Sequence, residues 1–216
     1  AHIGVDTDSG LVHSLDYGVT DRWAVSLSLP YAFGKYSGRS PHQLPIDNGT
    51  YHGSFQDLGI GIRYDLRTRP LILTPFFRLV LPSHKYEHFA HSAIGSQLRE
   101  YQTGISFARR LESLPSAYFQ GRYALAVAQR VIGRRPVHSR FYGEFSYFLT
   151  RKLAVRALSI GQFSHGGLNF PQDYPIRNAS DPRYLHHDQI SKLHSINIGG
   201  GVSYEVNRRW SLFSSL

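Results

Sequence analysis

The sequence has no cysteine and no methionine. The first absence excludes disulfides, thiolate metal centres and thiol nucleophiles. The second leaves no initiator residue. The segment from Ala1 also lacks the basic region and apolar core of a signal peptide, so it reads as a processed mature chain or as part of one. Charged residues make up only 18%. No apolar run approaches the roughly 20 residues that a membrane-crossing helix needs, which excludes helical spans. Acidic residues are the scarcer sign, 15 against 24 Lys and Arg, for a net charge of +9. The cations do not cluster but fall at turns, strand ends and alternate strand positions. Their spread argues against a nucleic-acid partner and for ion pairs inside a barrel plus a basic rim against lipid headgroups.

What is present is alternation. Trp23, Val25, Leu27, Leu29, Tyr31 and Phe33 occupy every second position, with Ala24, Ser26, Ser28, Pro30 and Ala32 between them. Ten strand-like runs follow one another over the 216 residues, read as one domain from 1 to 216. They fall at about 11–19, 22–34, 56–66, 71–82, 101–108, 119–130, 140–149, 153–163, 196–206 and from Trp210 onward. The connections alternate between short (Thr20-Asp21-Arg22, Thr150-Arg151-Lys152) and long and polar (Lys35 to Phe55, 83–98, about 164–191). Short turns on one rim and long loops on the other are the pattern of an antiparallel transmembrane β-barrel. The eighth run changes phase, with Leu153 and Val155 on one parity and Leu158 and Ile160 on the other, so a β-bulge is expected near Arg156–Ala157.

A soluble sandwich or lipocalin-like barrel also alternates, but it turns its apolar face inward and carries Lys, Glu, Asp and Asn on the other. Here the non-apolar face is mostly Gly, Ala and Ser with isolated charges. The apolar face is heavy in Tyr, Trp and Phe near strand ends, as a girdle at the membrane interface requires. The first run ends at a short turn and the tenth begins at one. One more strand is therefore expected on each side, giving a barrel of twelve with about ten in this chain.

If the parities hold, Arg63, Arg78, Arg110, Arg122, Arg130 and Arg140 point into the lumen, together with Asp16, Asp57, Asp65, Glu144 and Glu205. These charges form either a structural ion-pair network that plugs the lumen or a charged constriction that selects solutes.

Two stretches carry a family resemblance. Leu15-Asp16-Tyr17-Gly18-Val19-Thr20-Asp21-Arg22-Trp23 is followed by Ser28-Leu29-Pro30-Tyr31, and Leu185-His186-His187-Asp188-Gln189-Ile190 leads into Ile198-Gly199-Gly200-Gly201-Val202-Ser203-Tyr204. Together they resemble the transporter-like outer-membrane proteins grouped under meta-pathway phenol degradation. The resemblance implies a barrel in the outer membrane of a Gram-negative bacterium, loosely associated with uptake of aromatic or hydrophobic compounds. It brings no catalytic residues and no cofactor.

Of the 12 His, many lie in loops: His42, His52, His84, His88, His91, His138, His165, His186 and His187. His186, His187 and Asp188 could ligate a divalent cation, but adjacent residues seldom share one ion and no third ligand is fixed by spacing. Loop packing is the simpler reading. Ser164-His165 sits at the height where some outer-membrane hydrolases carry Ser and His. Neighbours on a strand point to opposite faces, so this pair cannot itself be a dyad. The triplets Asn48-Gly49-Thr50 and Asn178-Ala179-Ser180 match a glycosylation pattern by chance.

The expected function is a channel or transporter for small solutes, aromatic or hydrophobic ones among them. The expected surroundings are membrane lipid and lipopolysaccharide, with room for protein partners in the outer membrane or periplasm. A non-conducting barrel that anchors an assembly is the alternative, and an outer-membrane lipid hydrolase the more distant one.

Overall fold

The computed structural model describes residues 5–38, 46–66, 68–89, 92–169, 181–207 and 210–215. They form one antiparallel sheet of eleven strands: β1 (Val5–Gly18), β2 (Trp23–Ser37), β3 (His52–Phe55), β4 (Asp57–Tyr64), β5 (Ile72–Pro82), β6 (Glu100–Arg110), β7 (Ala117–Ala128), β8 (Val137–Phe148), β9 (Leu153–Ser164), β10 (His194–Asn207) and β11 (Trp210–Ser215). The strands pair in chain order, except that β4 follows β2 in the sheet and β3 pairs with β2 alone. The sheet curls into a half-barrel whose edges are β1 and β11. β3 and β4 are two parts of one wall strand, so ten wall strands stand where the sequence predicts ten runs.

The tight turns explain themselves locally. Thr20 Oγ1 accepts from the amides of Arg22 (3.2 Å) and Trp23 (3.0 Å), and Thr150 Oγ1 accepts from those of Lys152 (3.1 Å) and Leu153 (3.0 Å). A threonine hydroxyl thus supplies the acceptor that a two- to three-residue turn leaves wanting. Beyond the first turn the Trp23 and Tyr64 rings meet at 4.8 Å.

Residues directly opposite across a ladder share a face. Val25, Ile62, Phe77, Thr103 and Leu125 are opposed in series, as are Ser26, Gly61, Arg78, Gln102 and Ala126. The first series belongs to the convex face and the second to the concave. Convex apolar side chains stay open, Leu27 at 44%, Phe77 at 45% and Tyr101 at 53%. A continuous apolar face of this breadth suits a hydrocarbon surround, not water. Among the described residues no helix is long and apolar enough to cross a membrane.

The expected bulge in the eighth run is absent. β9 keeps one register with β8 from Ala154 to Ser164 and one with β10 from Leu153 to Phe163. Leu158 lies opposite Glu144 and Ile160 opposite Tyr142, so both stand on the concave face. The change of apolar phase is a change of composition, with aliphatic residues accepted inside the barrel, and not a change of register. The irregularities lie elsewhere. One extra residue, Gln56, separates the β3 and β4 registers on β2, and its amide is held by the Pro30 carbonyl at 2.8 Å. The other lies between Glu205 and Asn207 against β11. The long connection before β10 also contains two short helices, α1 (Pro182–Leu185) and α2 (His187–Ile190), where the sequence reads as loop throughout.

Small residues let the strands close up. A Cβ on Gly104 would lie 2.0 Å from the Tyr123 carbonyl oxygen and 2.8 Å from Phe76 Cζ, whereas one on Gly143 would meet nothing within 4 Å. Gly104→Val is expected to destabilise the sheet by about 1–3 kcal/mol or block its assembly, and Gly143→Ala to be near neutral. Urea unfolding of the two variants in vesicles checks the contrast, and equal midpoints would count against the strand spacing.

Candidate functional site

The concave face carries the chemistry. On it two acidic hubs hold arginines. Arg140 grips Glu100 with both terminal nitrogens, at 2.6 and 2.9 Å, while its Nε donates to Gln162 Oε1 at 2.9 Å and Gln102 Nε2 donates to Glu100 at 2.6 Å. Glu144, only 4% exposed, accepts from Arg156 through Nε (2.8 Å) and Nη2 (2.5 Å), from Gln120 (2.7 Å), from Ser146 (2.6 Å) and from the Tyr142 hydroxyl. A buried carboxylate so fully donated to is a satisfied network. Toward the turn rim Arg63 pairs with Asp16, and the Thr74 hydroxyl donates to Asp65 at 2.9 Å.

The structure brings Asp16 and Arg63 together, and Arg140 and Glu144 each into a network. Arg110 sits at the end of β6 and spends its Nε on the Pro115 carbonyl at 2.7 Å, at the turn rim. Arg130 is a correction: β7 ends at Ala128 and Arg130 lies exposed in the connection beyond it, because the strand stops short of the sequence-predicted run. Glu205 is exposed near the β10 irregularity. Asp57 receives the Tyr86 hydroxyl. Three groups at the centre escaped the sequence reading. Glu100 stands where loop becomes strand, Phe76 is one half of an adjacent Phe pair whose partner Phe77 faces lipid, and Arg156 is lost as soon as a bulge is assumed beside it.

Arg78 and Arg122 are the inward guanidinium groups at mid-strand that make no ion pair among the described residues. Arg78 Nη2 donates to Ser28 Oγ at 2.5 Å, and the Arg122 guanidinium stacks 3.9 Å from the centre of the Phe76 ring. Glycines make the room: a Cβ on Gly59 would lie 2.2 Å from Arg78 Nη2.

Four cavities run in file along this face. The uppermost, 310 Å³, is lined by Asp57, Arg78, Glu100 and Arg140 and by Gly95, Ser96 and Leu98 of the β5–β6 connection. Arg78 also lines the next, 170 Å³, with Thr74, Ser106 and Arg122. Those last three line a third of 440 Å³, which shares Ile72 and Ala108 with a mouth of 770 Å³ at the turn rim.

Over the loop rim the long connections interlock. Gln189 Nε2 donates to the Ser96 carbonyl at 2.6 Å, His52 Nε2 contacts the Ser92 carbonyl at 2.7 Å, and buried Asp47 accepts from the Ser92 hydroxyl at 2.8 Å. Leu98, Ala128, Val131, Leu168 and Ile190 form a small apolar core between them. Tyr86 is pinned by donating to Asp57 and accepting from the Gln97 amide at 2.9 Å. Burial, and then the Asp57 carboxylate, push its phenol well above the usual range, so it remains a donor.

The histidines serve this cap. His186 Nδ1 contacts Gln189 Oε1 at 2.6 Å, and His187 Nε2 lies 3.1 Å from Asp188 Oδ1. Among the described residues no group of three metal-ligating side chains converges. His42, His91 and the Asn178 triplet lie outside the described residues. The side chain of Asn48 accepts from the Thr50 amide at 2.8 Å and closes a local turn. Ser164 and His165 turn to different partners across the ladder: Ser164 Oγ is 3.1 Å from His138 Nδ1, and His165 Nε2 is 2.6 Å from Ser139 Oγ.

No family model matches the chain, and no curated protein matches it. Among solved structures it is similar to the crystal structure of an outer membrane channel from Pseudomonas putida F1. The identity is 12% and the TM-score 0.67, over 98% of this chain and 75% of that one. The likeness establishes the fold of an outer-membrane barrel.

Proposed function

We propose that this chain forms the wall of a twelve-strand outer-membrane channel for small solutes, closed by strands beyond β1 and β11. The observation that carries it is the file of cavities sharing walls from beneath the loop cap to the turn rim. A barrel serving only as an anchor needs no such continuity. The lining mixes guanidinium groups with Phe76, Tyr142 and Ile72, which suits solutes with a polar end and an apolar or aromatic body. The convex apolar face suits a lipid surround, and anionic headgroups suit the basic rims.

The interlocked cap favours a second reading, a barrel shut at its loop rim. Planar-bilayer recording of the full chain separates the two. The channel reading expects discrete conductance steps, and it fails if folded protein gives none. Ile190 is fully buried in the cap core. Ile190→Ala is expected to loosen the cap by about 2–5 kcal/mol and raise the conductance. An unchanged conductance would show that the cap does not limit flow.

A further inference from the structure

On the concave face, among the described residues, three guanidinium groups are bound to carboxylates: Arg63 to Asp16, Arg140 to Glu100 and Arg156 to Glu144. Of the other carboxylates there, Asp57 takes the Tyr86 hydroxyl and Asp65 the Thr74 hydroxyl. Arg110, at the turn rim, gives its Nε to the Pro115 carbonyl, and Arg78 and Arg122 remain at mid-face. Both line the 170 Å³ cavity between the upper and lower halves of the file. A guanidinium carries five donors, and Arg78 uses one on the Ser28 hydroxyl while Arg122 sits over the Phe76 ring. Two half-buried cations with donors to spare, set by Gly59 and Phe76 at the smallest of the four cavities, form a site suited to negative charge. Asp57 and Glu100 face the cavity above together with Arg78, and both are already engaged by other donors. Below, the third cavity offers Ile72 and Tyr142 beside the Arg122 head.

We infer that Arg78 and Arg122 form an anion subsite midway along the lumen that selects small carboxylates with an apolar or aromatic body. The carboxylate bridges the two guanidinium groups, and the body lies in the cavity below. The inference rests on the channel reading and deepens it, turning a general passage for small solutes into one that prefers anions. A purely structural role for the pair predicts no such preference.

The test uses the full chain folded in vesicles and planar bilayers, with heat-modifiable migration on gels as the control for folding. Reversal potentials in a KCl gradient and binding of benzoate, with benzylammonium as the opposite-charge probe, are measured for wild type, Arg78→Gln/Arg122→Gln and Arg78→Lys/Arg122→Lys. The expected result is anion preference and benzoate binding in wild type. The Gln pair should weaken binding about tenfold or more, and the Lys pair should restore most of the preference. Conductance without anion preference, with benzoate binding equal in all three, overturns the subsite and leaves the channel standing. No conductance, but benzoate binding lost in the Gln pair, overturns the channel and keeps the subsite. Neither conductance nor binding overturns both.

Discussion

Glu144→Ala is expected to destabilise the barrel by about 3–5 kcal/mol, the cost of leaving a buried charge without its partner. The carboxylate is 4% exposed, and Arg156, at 20%, aims two of its nitrogens at it. Gln120, Tyr142 and Ser146 lose their acceptor at the same stroke. The network spans β7, β8 and β9, so its loss weakens two ladders together. Urea titration of the folded chain in vesicles, followed by far-ultraviolet circular dichroism, reads the effect. The double variant Glu144→Leu/Arg156→Met should recover much of the loss, because removing both charges also removes the unpaired one. A midpoint unmoved by Glu144→Ala would mean that water or another cation satisfies Arg156.

Leu27→Arg should cost about 2–4 kcal/mol, the penalty for a cation at the middle of the lipid face. Leu27 is four residues from Trp23 and four from Tyr31 along β2, opposite Ile60, and 44% exposed. On a water-soluble sheet the same change would be nearly silent, since an exposed apolar side chain would give way to a solvated one. Leu114→Arg is the control: Leu114 is as open, at 41%, but sits in the short turn between β6 and β7, where little change is expected. The comparison is made by folding yield and urea midpoint in vesicles. Equal tolerance at both positions would refute the assignment of the convex face to lipid.

The wall was legible in the sequence because side-chain parity repeats every two residues and survives any error in strand ends. Leu27, Ile60 and Phe77 could be placed outward without knowing a single contact. Parity failed where it was trusted to be uniform. Leu158 and Ile160 stand inside, and the bulge invoked to send them outward hid Arg156, the partner of Glu144. Phe76 and Phe77 look alike in composition, yet one carries Arg122 and the other meets lipid. Pairing of charges depends on which strands are neighbours and at what height, and spacing along the chain holds none of that. The cap was less legible still. Gln189 reaches the Ser96 carbonyl across 93 residues, and a backbone acceptor leaves no mark in the sequence.

The register from β4 through β10 is unbroken across every ladder, and the two irregularities fall at its borders, at Gln56 and at Glu205–Asn207. Mechanically this is a stiff plate between two compliant seams. The plate holds both acidic hubs and the Arg78–Arg122 pair, so the geometry of the concave face is insulated from strain. Bending, as the bilayer thickens and thins, should be taken up along β2–β3 and β10–β11. Backbone amides beside the seams should therefore exchange with deuterium well before those of β6, β7 and β8.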